Sequence, residues 1–261
     1  MLRQSFLRWW KIKIVLMSLR LSLGGQAALI PWLGVLVLAC LPAISFSQSY
    51  SYVNLIGTLT NLEQLAVLPL VGEKSAQCTS RDLRSRYDYR SGEYADWGAN
   101  DDFAGHLGQQ PDGGIVLAQM RGPGCLWRIW SAQVGSGRVK IFLDGANMPA
   151  VDLPFRDYFN GSKFPLNFPA LTYVASGGFN SYLPIPYNVS CKVVAYGDWG
   201  RYFHFGYSTF APGVTVPTFT TKLTTAELTA LANANDFLLN RLGTDPAGVR
   251  AGQISVTNSF A

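Results

Sequence analysis

From residue 115 onward, apolar and polar residues alternate in short runs, the period of half-buried strands rather than of helices. Residues 115–120 and 126–134 form two such runs. Gly122-Pro123-Gly124 divides them and forces a turn, because glycine adopts backbone angles closed to other residues while proline fixes its own. Residues 138–143 place Val139, Ile141 and Leu143 on one face, and Asp144-Gly145 begins the return. Residues 151–155 and 189–195 are further candidate strands. Over 202–207, Phe203, Phe205 and Tyr207 share one face while Tyr202 and His204 share the other. Strands recurring at roughly 8 to 12-residue spacing predict an all-β antiparallel sandwich, with a jelly roll as its form.

One helix interrupts this pattern. Thr224-Thr225-Ala226-Glu227 is a capping box, and Leu228, Leu231, Leu238, Leu239 and Leu242 then fall near one face before Gly243 and Pro246 end the run. Upstream, Leu62, Leu65 and Leu68 suggest a short packed turn. Residues 81–90 read as a charged, solvated loop, and 98–114, with five glycines, read as loop as well. The expected organisation is a leader over 1–47, an N-terminal arm with loops over 48–114, and the sandwich with its C-terminal helix over 115–243. Residues 244–261 would begin a second domain, since Ile254-Ser255-Val256-Thr257 alternates like the opening of a strand.

Composition changes this picture at the N-terminus. The formal charge of +5 suggests a polyanion partner until its distribution is read. Arg3, Arg8, Lys11, Lys13 and Arg20 all precede the first acidic residue, Glu63, and the remaining chain is electrically balanced. Nucleic acid is therefore not an expected partner. Residues 27–46 carry no charge, and Ser45 and Ser47 stand at the small-residue positions of a signal-peptidase site before Gln48. The leader either directs export and is cut there, or stays as a membrane anchor over 27–46. Cys78, Cys125 and Cys191 are far apart and read as small buried thiols. His106 and His204 are too isolated for a metal site, and no phosphate loop or dinucleotide fingerprint occurs, so no cofactor is expected.

Five segments, taken in order, carry a resemblance. They are Arg121-Gly122-Pro123-Gly124-Cys125-Leu126-Trp127-Arg128-Ile129-Trp130, Ile141-Phe142-Leu143-Asp144-Gly145, Val151-Asp152-Leu153-Pro154-Phe155-Arg156-Asp157-Tyr158-Phe159, Gly177-Gly178-Phe179-Asn180-Ser181-Tyr182-Leu183-Pro184-Ile185-Pro186-Tyr187 and Arg201-Tyr202-Phe203-His204-Phe205-Gly206-Tyr207. Over residues 63–210 the chain resembles the N-terminal portion of glycoside hydrolase family 172, also known as domain of unknown function 2961. The resemblance implies the first half of a double jelly roll, assembly into homo-trimers or hexamers, and retaining action on α-linked furanosides of fructose or arabinose.

Retention requires two carboxyl groups about 5 Å apart, one as nucleophile and one as acid/base. In the family these are glutamates in Trp-Gly-Glu-Gly-Asp-like and Gly-Thr-Glu-Asp-like segments, downstream of the stretch matched by 202–210. The four glutamates here, Glu63, Glu73, Glu93 and Glu227, have neither context. No catalytic residue is therefore assigned, and the expectation is of a truncated family member, with a non-catalytic glycan-binding or oligomer-assembly module as the alternative. Asp101 and Asp102 are adjacent and point to opposite sides of an extended backbone, so they cannot flank one glycosidic bond. The resemblance places Asn100-Asp101-Asp102-Phe103 and Trp97 near the sugar. It also aligns a Ser-Ser-Tyr-Asp-Arg pattern with Thr79-Ser80-Arg81-Asp82-Leu83, where Tyr has become Arg and Arg has become Leu. Trp127, Trp130, Tyr182 and Trp199 offer stacking faces, each weighed against an ordinary place in the core. The substrate-binding candidates are Asp82, Trp97, Asp101, Asp102 and Tyr182.

Overall fold

The computed structural model describes residues 48–102 and 105–243; the leader, Phe103 and the expected opening of a second domain over 244–261 lie outside the described residues. Two antiparallel sheets face each other. One holds β1 (Lys74–Thr79), β12 (His204–Thr209), β5 (Gly124–Ser131), β9 (Gly178–Ser181) and β8 (Thr172–Ala175) in that spatial order, with β10 (Ile185–Tyr187) also paired to β5. The other holds β4 (Ile115–Arg121), β11 (Ser190–Tyr196), β6 (Arg138–Leu143) and β7 (Val151–Pro154). Gly122-Pro123-Gly124 therefore does not close a hairpin. It carries the chain from one sheet to the other, because β4 and β5 lie in different sheets.

The core is what alternation demands. Val139, Ile141 and Leu143 point inward from β6 and meet Leu126, Ile129, Phe203 and Phe205 from the opposing sheet, all essentially without solvent contact. Each such side chain contributes roughly 1.5–3 kcal/mol relative to exposure. In β5 the two inward residues, Leu126 and Ile129, are three apart rather than two or four. A register shift explains this: Leu126 pairs with Tyr207 and Arg128 with Gly206, leaving Trp127 as the extra residue of a bulge. Trp199, offered above as a stacking face, is buried beside Phe155 and Phe203.

The sheet begins earlier than the alternation suggested. β1 pairs along its whole length with β12, from Lys74 opposite Thr209 to Thr79 opposite His204. Likewise α1 (Tyr52–Gly57), started by a Ser51–Asn54 capping box, inserts Tyr52 and Ile56 into the main core. The Tyr52 hydroxyl donates to the Pro184 carbonyl at 2.9 Å. The expected turn is present as a short 3-10 turn over Leu62–Ala66, capped by Asn61, but it is not packed: Leu62 and Leu68 are both exposed, Leu68 at 87%. The charged stretch read as a solvated loop instead holds a short exposed hairpin, β2 (Arg86–Asp88) with β3 (Glu93–Ala95).

The predicted helix is α2 (Thr225–Asn240), and its capping box is present: the Thr224 hydroxyl accepts from the Glu227 N–H at 3.3 Å and the Glu227 carboxylate accepts from the Thr224 N–H at 2.7 Å. Its buried face is Leu231 and Ala234, against α1, rather than the full leucine stripe; Leu239 and Leu242 are exposed. The three described cysteines are free thiols, with Cys125 and Cys191 buried. No described helix is long and apolar enough to cross a membrane.

Replacing Phe205 with alanine removes a side chain with no solvent exposure from the centre of the core. We expect it to lower stability by about 3–5 kcal/mol, whereas Leu239→Ala on the exposed side of α2 changes it by no more than about 0.5 kcal/mol. Urea denaturation of both variants measures the contrast.

Candidate functional site

The outer face of the six-stranded sheet is divided. Toward the start of β5 it is covered: Cys125 and Trp127 pack with Leu55 of α1 and with Phe210, Ala211, Val214 and Val216. The arm at 48–50 is tied there by Tyr50 N–H to the Thr215 carbonyl at 3.0 Å and by Thr215 N–H to the Gln48 carbonyl at 2.9 Å. Toward the end of β5 the face is left partly exposed, and the chemistry-bearing side chains gather on it.

They gather because of register. Thr79 pairs with His204, His204 with Trp130, Trp130 with Asn180, and Asn180 with Tyr173. Directly paired residues share a face, so five strands contribute one continuous row. The row behind it, Cys78, Phe205, Ile129, Ser181 and Thr172, points the other way. Arg128 lies two positions before Trp130 and so joins the outer row, opposite Gly206. Its Cζ stands 5.9 Å from the Trp130 ring and 5.7 Å from the Tyr182 ring, and its Nη2 donates to Asn180 Oδ1 at 3.3 Å. The buried Nε has no acceptor among the described residues. His204 lies on Trp130 with centroids 4.6 Å apart, and Tyr173 stacks on Tyr182 at 6.2 Å.

Electrostatics follow from this packing. Burial, reinforced by the Arg128 charge, pushes the His204 imidazole below its ordinary value, so it is neutral at physiological pH. Burial and the neighbouring Tyr182 hydroxyl push the Tyr173 phenol up. The face therefore presents one cation, neutral rings and an amide: donors and stacking surfaces, with no carboxylate on the row.

Beside this face lies a clamped loop. Ser80 N–H donates to the Phe203 carbonyl at 3.0 Å, so the Asp82 loop starts immediately after the Thr79–His204 pair. The buried Asp82 carboxylate accepts from Arg84 Nε at 3.0 Å and Nη2 at 2.5 Å, and from the Asp101 N–H at 2.9 Å. The Arg84 hydrogen bonds hold Asp82 well below the usual carboxylate range. Leu83 stands where the resembled pattern has arginine, and it is Arg84, one position further on, that pairs with Asp82 here. Gly105 lies so close to Thr79–Arg81 that a Cβ there would sit 2.1 Å from the Thr79 carbonyl oxygen.

The five sequence candidates are therefore partly assembled. Asp82 and Asp101 meet through a backbone N–H, Tyr182 flanks Arg128, and Asp102 is exposed on the same loop as Asp101. Trp97 is 72% exposed and extends an edge-to-face series of rings through Tyr94 and Tyr87 to Tyr89 on the β2–β3 hairpin. Sequence reading passed over Arg128, Tyr173 and Asn180 and treated His204 as structural. The available signal was the Arg128-x-Trp130 alternation, but recognising the row requires strand pairings separated by up to about 125 positions. Of the glutamates, Glu227 caps α2, Glu93 lies on exposed β3, Glu63 on an exposed turn and Glu73 just before β1. Among the described residues no group of His, Cys, Asp and Glu is arranged to hold a metal ion.

A nuclear magnetic resonance titration of His204 is expected to give a midpoint below 6.5, with Arg128→Met raising it part of the way, since burial is the larger cause. Because the unfolded chain takes up that proton near 6.5, the stability gained by keeping His204 neutral is complete above that pH. It declines as pH falls below it.

No curated protein matches the chain. A family model, the GH172 first beta-sandwich domain, matches residues 72–227. That match covers more than half of the chain and spans the sheet from the start of β1, including every residue of the outer row and the Asp82 clamp. It makes the chain a carbohydrate-active protein of glycoside hydrolase lineage. The chain belongs to glycoside hydrolase family 172.

Proposed function

We propose that residues 48–243 form the sugar-holding wall of a site for α-linked furanosides, and that the nucleophile and acid/base carboxylates come from outside these residues. The observation that carries this reading is the guanidinium of Arg128, set between Trp130 and Tyr182 and only partly hydrogen-bonded. A sugar ring offers C–H faces to aromatic rings and hydroxyl acceptors to a guanidinium. Asp101 and Asp102, on the loop fixed by Asp82, would accept from hydroxyl groups at the margin of the same face. Asp82 itself is a positioning residue, since an ion-paired carboxylate held far below the usual range cannot donate a proton near neutrality.

The placement of the four glutamates favours a second reading, a module that binds glycan without hydrolysing it. One experiment separates the outcomes. Calorimetry with methyl α-D-arabinofuranoside and α-fructofuranoside is paired with release assays on the corresponding aryl glycosides. We expect binding by the chain without release, weakened at least tenfold by Trp130→Ala or Arg128→Ala. Release by residues 48–243 alone would overturn the outside origin of the carboxylates. Binding indifferent to both substitutions would remove the outer row from the site. A segment or second chain that restores hydrolysis supports the enzymatic reading over the non-catalytic one.

We also propose export. Five basic residues precede an uncharged stretch over 27–46 that ends at Ser45-Phe46-Ser47. N-terminal sequencing of the mature protein is expected to begin at Gln48, while a start that retains 27–46 would indicate a membrane anchor.

A further inference from the structure

The outer face of the four-stranded sheet, across the sandwich from Arg128, carries a separate constellation. Lys192 pairs with Phe142 and Val194 with Lys140, so the two lysines are diagonal neighbours on adjacent strands. Their Cβ atoms accordingly lie about 7–8 Å apart. Each ammonium stands over a ring: Lys140 at 4.6 Å from Tyr196 and Lys192 at 5.1 Å from Phe142. They line a cleft of about 660 Å³ walled by Gln110 and Asp112 on one side and Asn147 and Met148 on the other.

The carboxylates of this cleft are engaged, whereas its two ammonium groups are only partly so. Asp112 accepts from the Gly114 N–H at 3.1 Å and from the Tyr196 hydroxyl at 2.9 Å, which hold its carboxyl below the ordinary value. Asp152 accepts from Arg138 Nε at 2.8 Å. Lys192, by contrast, makes one hydrogen bond, to Gln110 Oε1 at 3.1 Å, and Lys140 approaches Asp152 only to 4.0 Å. An ammonium carries three donors, so both retain capacity for a further acceptor. The cleft is far larger than a bare anion needs and falls within the range of small-ligand sites. It also offers apolar surface, with Phe142 in its lining and Met148 77% exposed at its wall.

We propose that this cleft binds a uronic acid residue of an acidic glycan. The carboxylate sits between Lys140 and Lys192, and the ring body lies against Phe142 and Met148. The binding is non-covalent and shares no residue with the Arg128 face, so the two sites stand or fall separately.

Calorimetry of the full chain at low salt, with a trimer of galacturonic acid as probe, tests the proposal. Expected are binding, an at least tenfold loss in Lys140→Gln and in Lys192→Gln, and no change in Trp130→Ala. Both lysine side chains point outward, and an unchanged thermal midpoint in the variants establishes that the fold is retained. Absence of binding, or binding unaffected by either lysine substitution, overturns the proposal. Equal affinity for the neutral galactose trimer removes the carboxylate from recognition. Equal affinity for acetate or inorganic phosphate reduces the cleft to an anion site without sugar recognition. A loss in Trp130→Ala moves the uronate to the opposite face and also ends the proposal.

Discussion

The bulge in β5 is the constraint on which the rest of the molecule depends. Strict alternation from Leu126 would send Arg128 into the core and Ile129 into water. The unpaired Trp127 resets the phase, so that Leu126 and Ile129 both face inward while Arg128 and Trp130 both face outward. Because β5 is bonded to β12 on one edge and to β9 and β10 on the other, this shift is passed to every strand of its sheet. On β12 the shift falls between Gly206, opposite Arg128, and Tyr207, opposite Leu126.

Strands with clean alternation were legible in the sequence, β6 above all, and the capping box of α2 announced its own position. Both signals are local and depend on side-chain chemistry a few residues apart. What escaped reading was non-local. β1 has an exposed, polar burial pattern and takes its identity from pairing with β12, so nothing in Lys74–Thr79 alone marks it as part of the main sheet. Leu62 and Leu68 read as packed from their spacing, yet both are exposed, because leucine spacing in a short turn does not by itself supply a surface to bury against. The candidate site suffered in the same way: Tyr182 could be singled out as an aromatic beside two prolines, whereas Arg128 and Asn180 acquire meaning only across strand pairs.

Two kinds of work are separated along this chain. On the proposed reading, the residues that would hold a ligand lie on strands whose ladders fix them beforehand, so little conformational freedom would be lost on binding. Carboxylates that would break a glycosidic bond are not among them. Asp82, on the loop that follows β1, is committed to Arg84 and to the Asp101 backbone, and holds that loop in place.

The pairing that produces the outer row also insulates it. His204, Trp130, Asn180 and Tyr173 point away from the partner row of Phe205, Ile129, Ser181 and Thr172, so the two rows share backbone bonds but few packing contacts. Exchanging the exposed Tyr173 changes the surface while the inner row keeps the sandwich folded, whereas Asn180 is buried and tied to Arg128 and to the Gly178 carbonyl. Such a sheet can vary its exposed rings one at a time while the buried amide between them stays fixed.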